Sequence, residues 1–110
     1  MLIALTGGIG SAGSNEGFSV DYDLPNEQAY CETCASVGMV FWNQRMNALT
    51  GDAMYMDVLE RSLYNGALDG LSLTGDRFFY GNPLASRGQH QRRDWFGTAC
   101  CPANIARMVA

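Results

Sequence analysis

"EQAYCETCASVGMVFWNQRMNALTG", residues 27–51, carries the most organised part of the chain. Its apolar positions fall at Tyr30, Cys34, Val37, Phe41 and Met46 or Leu49, the spacing of one face of an α-helix. Asn26, following Pro25, is placed to cap the start, and Gly51 fits the residue that closes a helix. Phe41 and Trp42 are expected on its core side. Asp52 then caps a second helix over 53–65, with Met54, Val58, Leu59 and Leu63 facing inward and Gly66 stopping it. "LSLTGDRFFY", 71–80, predicts a hairpin of two short strands around Thr74-Gly75-Asp76. After Pro83 comes a polar connector, "ASRGQHQRRDW", 85–95. "CPANIARMVA", 101–110, begins a helix, with Pro102 in its first turn and Ile105, Met108 and Val109 at helical spacing. Upstream, Gly7, Gly8, Gly10, Gly13 and Gly17 and the turn-forming "DYDLPN" make residues 1–27 loop-rich. The order predicts a mainly α fold with a short β-hairpin.

A length of 110 residues bounds the chain to about one domain or a piece of one. Both ends read as cut. The last helix stops after about two turns, marginal alone, and the glycine-rich loop has little before it to pack against, so a fragment of a longer product is expected. An apolar fraction of 47% is too high for a disordered tail. No run approaches the roughly 18 apolar residues of a membrane span. Net charge is −4, with basic residues scattered apart from Arg92-Arg93, so nucleic acid is not an expected partner. "MLIALTGG" lacks the basic start of a secretory signal. A cytoplasmic location follows as the expectation, and the cysteines read as thiols or metal ligands before disulfides.

The four cysteines and one neighbour form the candidate site. Cys31 and Cys34, three apart on a helix, would project from one side, which suits a metal or a redox pair. Cys100 and Cys101 are adjacent and poorly placed to bridge each other, so a shared external partner is more natural. Four thiolates would make a closed, structural zinc site. Glu32 offers a competing carboxylate, and buried, unliganded cysteines are the bland alternative. Spacing alone leaves all three open.

"TGGIGS", Glu16, "DYDLPNEQAYCETCA", "LYNGALDGLSLTGDRFFYGNPL", Trp95 and "ACCPANIAR" follow one another in an order and spacing that resemble the β-L-arabinofuranosidases of glycoside hydrolase family 127. The resemblance runs from Thr6 to Arg107. It implies that residues 1–110 are a fragment of a catalytic (α/α)6 barrel, whose other helices and trailing β-sandwich domains would be its partners. It implies Glu32, Cys34, Cys100 and Cys101 as ligands of a zinc ion, Cys100 as nucleophile and Glu16 as general acid/base. Cys31 matches no functional position. The implied activity is retaining hydrolysis of a small or oligosaccharide substrate, releasing non-reducing-end β-L-arabinofuranose or a related sugar.

One physical difficulty accompanies that ligand set: residues two apart on a regular helix, such as Glu32 and Cys34, point to opposite sides. Two rival classes remain, a non-catalytic zinc-stabilised module with a four-cysteine site and a redox dithiol at Cys31 and Cys34. The latter lacks a surrounding βαβ pattern. Other polar residues read blandly: His90, Arg92 and Arg93 as solvated, Asp21 and Asp23 as turn caps, Tyr22 and Trp95 as buried aromatics.

Overall fold

In the computed structural model, which describes residues 3–95, 97 and 99–110, helix α1 spans Thr33–Thr50. It starts later than its apolar spacing suggests, and the reason is tertiary. Cys31 has φ 41, and Glu32 is extended, with φ −59 and ψ 134. This stretch pairs with residues 80–82 through a Glu32–Gly81 bridge. Thr33 N–H donates to Tyr80 O at 3.0 Å, and Asn82 N–H is shared by Tyr30 O and Cys31 O at 3.1 Å each. The Thr33 hydroxyl adds a 2.7 Å bond to Phe79 O. Sheet-like partners claim the backbone that a helical first turn would have used. Only glycine fits at 81, where a Cβ would lie 2.9 Å from Tyr30 O.

The other end of α1 follows expectation: Gly51 has φ 72 and its N–H returns to Asn47 O. The buried face consists of Thr33, Ser36, Val37, Met39, Val40 and Asn43. Trp42, expected inside, is 59% exposed, and Leu49 is 80% exposed. Ser36 on this face is small where the neighbouring segment comes very close.

That neighbour is α2, Met54–Ser62, started by the Asp52 carboxylate accepting from Met54 N–H at 2.9 Å. Gly66 does not stop it. The chain runs on through a π-helical segment, Leu63–Leu68, in which Gly66 and Ala67 are buried. A Cβ at Gly66 would meet Ser36 Oγ at 2.6 Å, which explains the residue. Of the four side chains expected inward, Val58, Leu59 and Leu63 are partly buried and Met54 is exposed.

Residues 71–80 do fold back on themselves, with Ser72 N–H bonded to Arg77 O and a Leu71–Phe78 bridge. The strand partner, however, comes from the stretch expected to be a polar connector. Strand β1, Arg77–Phe78, pairs antiparallel with β2, Arg93–Asp94, with Arg77 opposite Asp94 and Phe78 opposite Arg93. His90 and Arg92 are correspondingly only partly exposed. The His90 ring stacks on Phe79 at 4.6 Å and its Nε2 is 2.8 Å from Gly81 O. The Arg92 guanidinium lies 4.3 Å from the Phe79 ring centre and donates to Gly70 O and Asp69 O. Arg93 is exposed, its guanidinium 5.4 Å from the Tyr80 ring centre.

Helix α3, Cys101–Val109, carries Pro102 in its first turn as expected. It packs on α1 through a core of Val37, Ala67, Phe78, Cys101 and Ile105. Phe78 and Ile105 are fully enclosed, each contributing about 1.5–3 kcal/mol. Trp95 joins this core edge-on to Phe78. A smaller cluster holds Ala4, Ala29 and Cys31 under Leu84. The fold is thus mainly helical with one short two-stranded sheet. No helix among the described residues is long and apolar enough to cross a membrane.

Candidate metal centre and active site

The starts of α1 and α3 converge. Glu32 is the N-cap residue of α1 and Cys34 lies in its first turn; Cys100 is the N-cap residue of α3 and Cys101 its first residue. The partial positive charge at each helix start favours anionic ligands there. One ligand atom from each of Glu32, Cys34, Cys100 and Cys101 lies within 4.8 Å of all the others. Cys34 Sγ is 3.1 Å from Cys100 Sγ and 3.3 Å from Cys101 Sγ. Glu32 Oε1 is 3.4 Å from Cys100 Sγ and 3.9 Å from Cys101 Sγ. The extended backbone at Glu32 removes the helical difficulty, since that residue is not yet on the helix when Cys34 is.

The donor set fits a divalent ion. Tetrahedral bonds of about 2.3 Å would space the sulfurs about 3.8 Å apart, only slightly wider than the distances here. None of the four cysteines is in a disulfide. Burial pushes the Cys34 thiol well above its usual range, opposed next by the hydrogen bond from Asn104 and reinforced by smaller contributions from Cys100 and Cys101. Burial likewise pushes Cys101 up to about 11. Crowded thiols of this kind would stay neutral at physiological pH without a positive charge among them, and a metal ion supplies one.

Cys31 stands apart. It is 3% exposed within the smaller cluster, pressed against Gly8, where a Cβ would lie 2.9 Å from its Sγ. The expected projection of Cys31 and Cys34 from one helix side fails because Cys31 precedes the helix. The four-cysteine alternative loses its fourth thiol to this displacement, and Cys31 is not in the metal-capable group.

Residues 3–110 match the family model described as "Beta-L-arabinofuranosidase, GH127 catalytic domain". The chain belongs to this family. It is 47% identical over 117 residues to a non-reducing end beta-L-arabinofuranosidase of Bifidobacterium longum subsp. longum, covering 96% of this chain and 18% of that protein. A solved GH127 beta-arabinofuranosidase superposes with TM-score 0.89 at 56% identity, over 96% of this chain and 17% of that one. A GH127 beta-L-arabinofuranosidase from Geobacillus stearothermophilus T6 superposes with TM-score 0.88 at 46% identity, over 97% of this chain and 19% of that one. The chain therefore spans about a fifth of the length of these relatives.

Within this GH127 chain, Glu16 lies in the exposed glycine-rich loop, at the tip of a turn closed by the Ala12–Gly17 bridge. Its φ of 52 is rare for a residue with a side chain. Gly10 and Gly13 lay this loop on the Tyr30 ring, each with a Cβ position 3.4 Å from a ring carbon. The Tyr30 hydroxyl is buried without a hydrogen-bond partner among the described residues. Burial first, then the Glu32 and Glu16 carboxylates, drive its pKa upward. The Tyr80 hydroxyl is raised by its bond to Cys100, by burial and by the same two carboxylates. Both acidic residues thus act on one pair of tyrosines, whose rings lie 6.5 Å apart.

Two side chains at the site were not singled out from sequence. Tyr80 donates its hydroxyl proton toward Cys100 Sγ at 3.5 Å, and Asn104 Nδ2 donates to Cys34 Sγ at 3.2 Å. Asn104 follows Cys101 by three positions on α3, so helical spacing held a signal for it; Tyr80 had none beyond its strand. Asp23 accepts a bond from Ser19. Tyr22, expected buried, is 82% exposed. Asp21 and Asp23 line a cavity of about 270 Å³ beside the glycine loop, which Cys31 also lines and the metal-capable residues do not.

Proposed function

We propose that this chain contributes the nucleophile, the acid/base residue and a zinc centre to a retaining glycosidase that releases β-L-arabinofuranose, or a related sugar, from non-reducing ends. In this reading residues 1–110 belong to an (α/α)6 barrel catalytic domain, completed by further helices and β-sandwich domains. Zinc is favoured because three thiolates and one carboxylate form a four-donor, sulfur-rich set. The convergence of Glu32, Cys34, Cys100 and Cys101 within 4.8 Å is the observation that supports the reading most strongly.

Zinc held by these four residues would keep the thiols ionised at neutral pH. Most retaining glycosidases pair two carboxylates; here the Cys100 sulfur takes the place of one. Cys100 is half-buried at the start of α3, less enclosed than Cys101, and so the more reachable of the adjacent pair. Its sulfur attacks the anomeric carbon while the bond to the leaving oxygen breaks, and Glu16 gives that oxygen a proton. Glu16 then takes a proton from water, the water oxygen attacks the same carbon, and the carbon–sulfur bond breaks. Tyr80 faces Cys100 as a hydrogen-bond donor, steadying negative charge on sulfur before attack and after release.

The test is trapping. In the full-length protein, Glu16→Gln supplied with an activated aryl β-L-arabinofuranoside should accumulate a sugar adduct, located by peptide mass spectrometry on Cys100. Cys100→Ser should neither turn over nor form an adduct. Turnover retained in Cys100→Ser, or an adduct on another residue, overturns the assignment.

A further inference from the structure

We infer that Asn104, aimed by Arg107, is a positioning residue that commits Cys34 to holding the metal and so leaves Cys100 as the sulfur that reacts. The inference rests on the zinc-centre reading above and goes beyond it to the question of which thiolate stays and which attacks.

Arg107 Nη1 donates to Asn104 Oδ1 at 2.6 Å. A guanidinium has no acceptor, so the amide oxygen must face Arg107 and the amide NH₂ must face the other way. It meets Cys34 Sγ at 3.2 Å. The amide is therefore oriented from outside, and its sulfur partner is cast as an acceptor, the role of a thiolate. Cys101, Asn104 and Arg107 follow at three-residue steps on α3, so one helix face carries a ligand, the amide and the group that aims it. Asn104 N–H also bonds back to Cys100 O at 3.2 Å, tying the amide residue to the helix start.

The sulfurs are then unequal. Cys34 receives a nitrogen donor from a side chain held at both ends. Cys100 receives the tyrosine hydroxyl at 3.5 Å, a longer contact. Cys101 is fully buried and shares a contact with Cys34. A hydrogen bond to a thiolate draws density from its lone pairs, making it less nucleophilic, and fixes it in place as a ligand. Cys34 is the sulfur so treated by an amide, and it lies on α1, across the site from the reacting residue.

The test uses the full-length protein. Asn104→Asp keeps the shape and removes the donor, Asn104→Ala removes the amide, and the exposed Arg107→Met frees it to turn. Zinc affinity is read by chelator competition, and the thiolate-to-metal absorption band is read in the cobalt-substituted protein. Asn104→Asp and Asn104→Ala should weaken zinc by about tenfold to a hundredfold. Both should move the cobalt band to lower energy, with unchanged circular dichroism, and Arg107→Met should do the same to a smaller degree. A purely structural role would leave the band in place. Wild-type metal uptake combined with an unmoved band and near-unchanged affinity in Asn104→Asp overturns this inference alone. Failure of the wild-type protein to take up zinc or cobalt overturns the metal-centre reading and this one together. If both Asn104 variants misfold, a wild-type-like band and affinity in Arg107→Met overturn the inference.

Discussion

Metal affinity should rise steeply with pH, by a slope the site itself sets. Burial holds Cys34 above the ordinary thiol range and raises Cys101 from an ordinary 9.0 to about 11. Both are neutral near pH 7 in the metal-free fold, and each must give up its proton to become a ligand. At least two protons therefore leave on binding. Each contributes a factor of about ten in apparent affinity per pH unit, so the two together give about a hundredfold, or about 2.7 kcal/mol, for each unit between pH 6 and 8. The sign for the metal-free fold is opposite. A thiol whose pKa is raised by folding stabilises the fold fully below the unfolded value of 9.0 and loses that contribution as pH climbs through about 11. Metal-free protein should thus weaken across that window while loaded protein does not. Chelator competition at pH 6, 7 and 8, with calorimetry in buffers of different ionisation enthalpy, counts the protons. A slope below two protons per metal would refute the reasoning, because it would require a buried thiol already ionised without an ion.

Two further outcomes test the fold around the site. Cys31→Ser should retain one zinc per chain, since Cys31 lies outside the cluster, whereas Cys34→Ser should lose it in elemental analysis after dialysis; zinc lost in Cys31→Ser and kept in Glu32→Ala would reinstate a four-cysteine site. Gly66→Ala should destabilise by about 1–3 kcal/mol through overpacking, because its Cβ meets Ser36 Oγ at 2.6 Å. In a Ser36→Ala background that cost should shrink, and simple additivity in thermal unfolding of the double variant would show that the contact is not the cause.

Local signals were readable where the backbone closes on itself. Gly51 ends α1, Asp52 starts α2 and Pro102 opens α3, each through neighbours a few residues away. What escaped was non-local. The true start of α1 depends on residues 80–82, far along the chain, and the partner of β1 comes from a stretch whose polarity suggested solvent. Arg92 and His90 look like surface residues until Phe79 lies beneath them. Gly66 reads as a helix stop, yet its missing side chain makes room for Ser36. For the site, spacing favoured Cys31 with Cys34, and only the family resemblance pointed to Glu32 in its place. No residue pattern within 30–34 encodes the turn at Cys31 that separates the two readings.

That turn connects the fold to the chemistry. Among the described residues, three other than glycine have positive φ: Glu16, Tyr22 and Cys31. Such conformations cost on the order of 1–3 kcal/mol each and persist where surrounding structure enforces them. At Cys31 the enforcement is visible, in the bonds of residues 30–33 to 80–82 and in the packing of its thiol under Gly8. The consequence falls one residue later. With Cys31 in the left-handed region, Glu32 leaves the chain extended and Cys34 falls in the first turn of the helix, so side chains two apart share one ion-sized space. A helix beginning at Asn26 would have sent them to opposite sides. Cys31 therefore stands beside the ligands without being one, because its contribution is the direction of the backbone. Glu16 carries the same kind of strain at the tip of its loop, where the proposed acid/base carboxylate must be held over a sugar. Sequence rules break at the two places where this chain's chemistry is proposed to happen, which is where departures from local preference are expected.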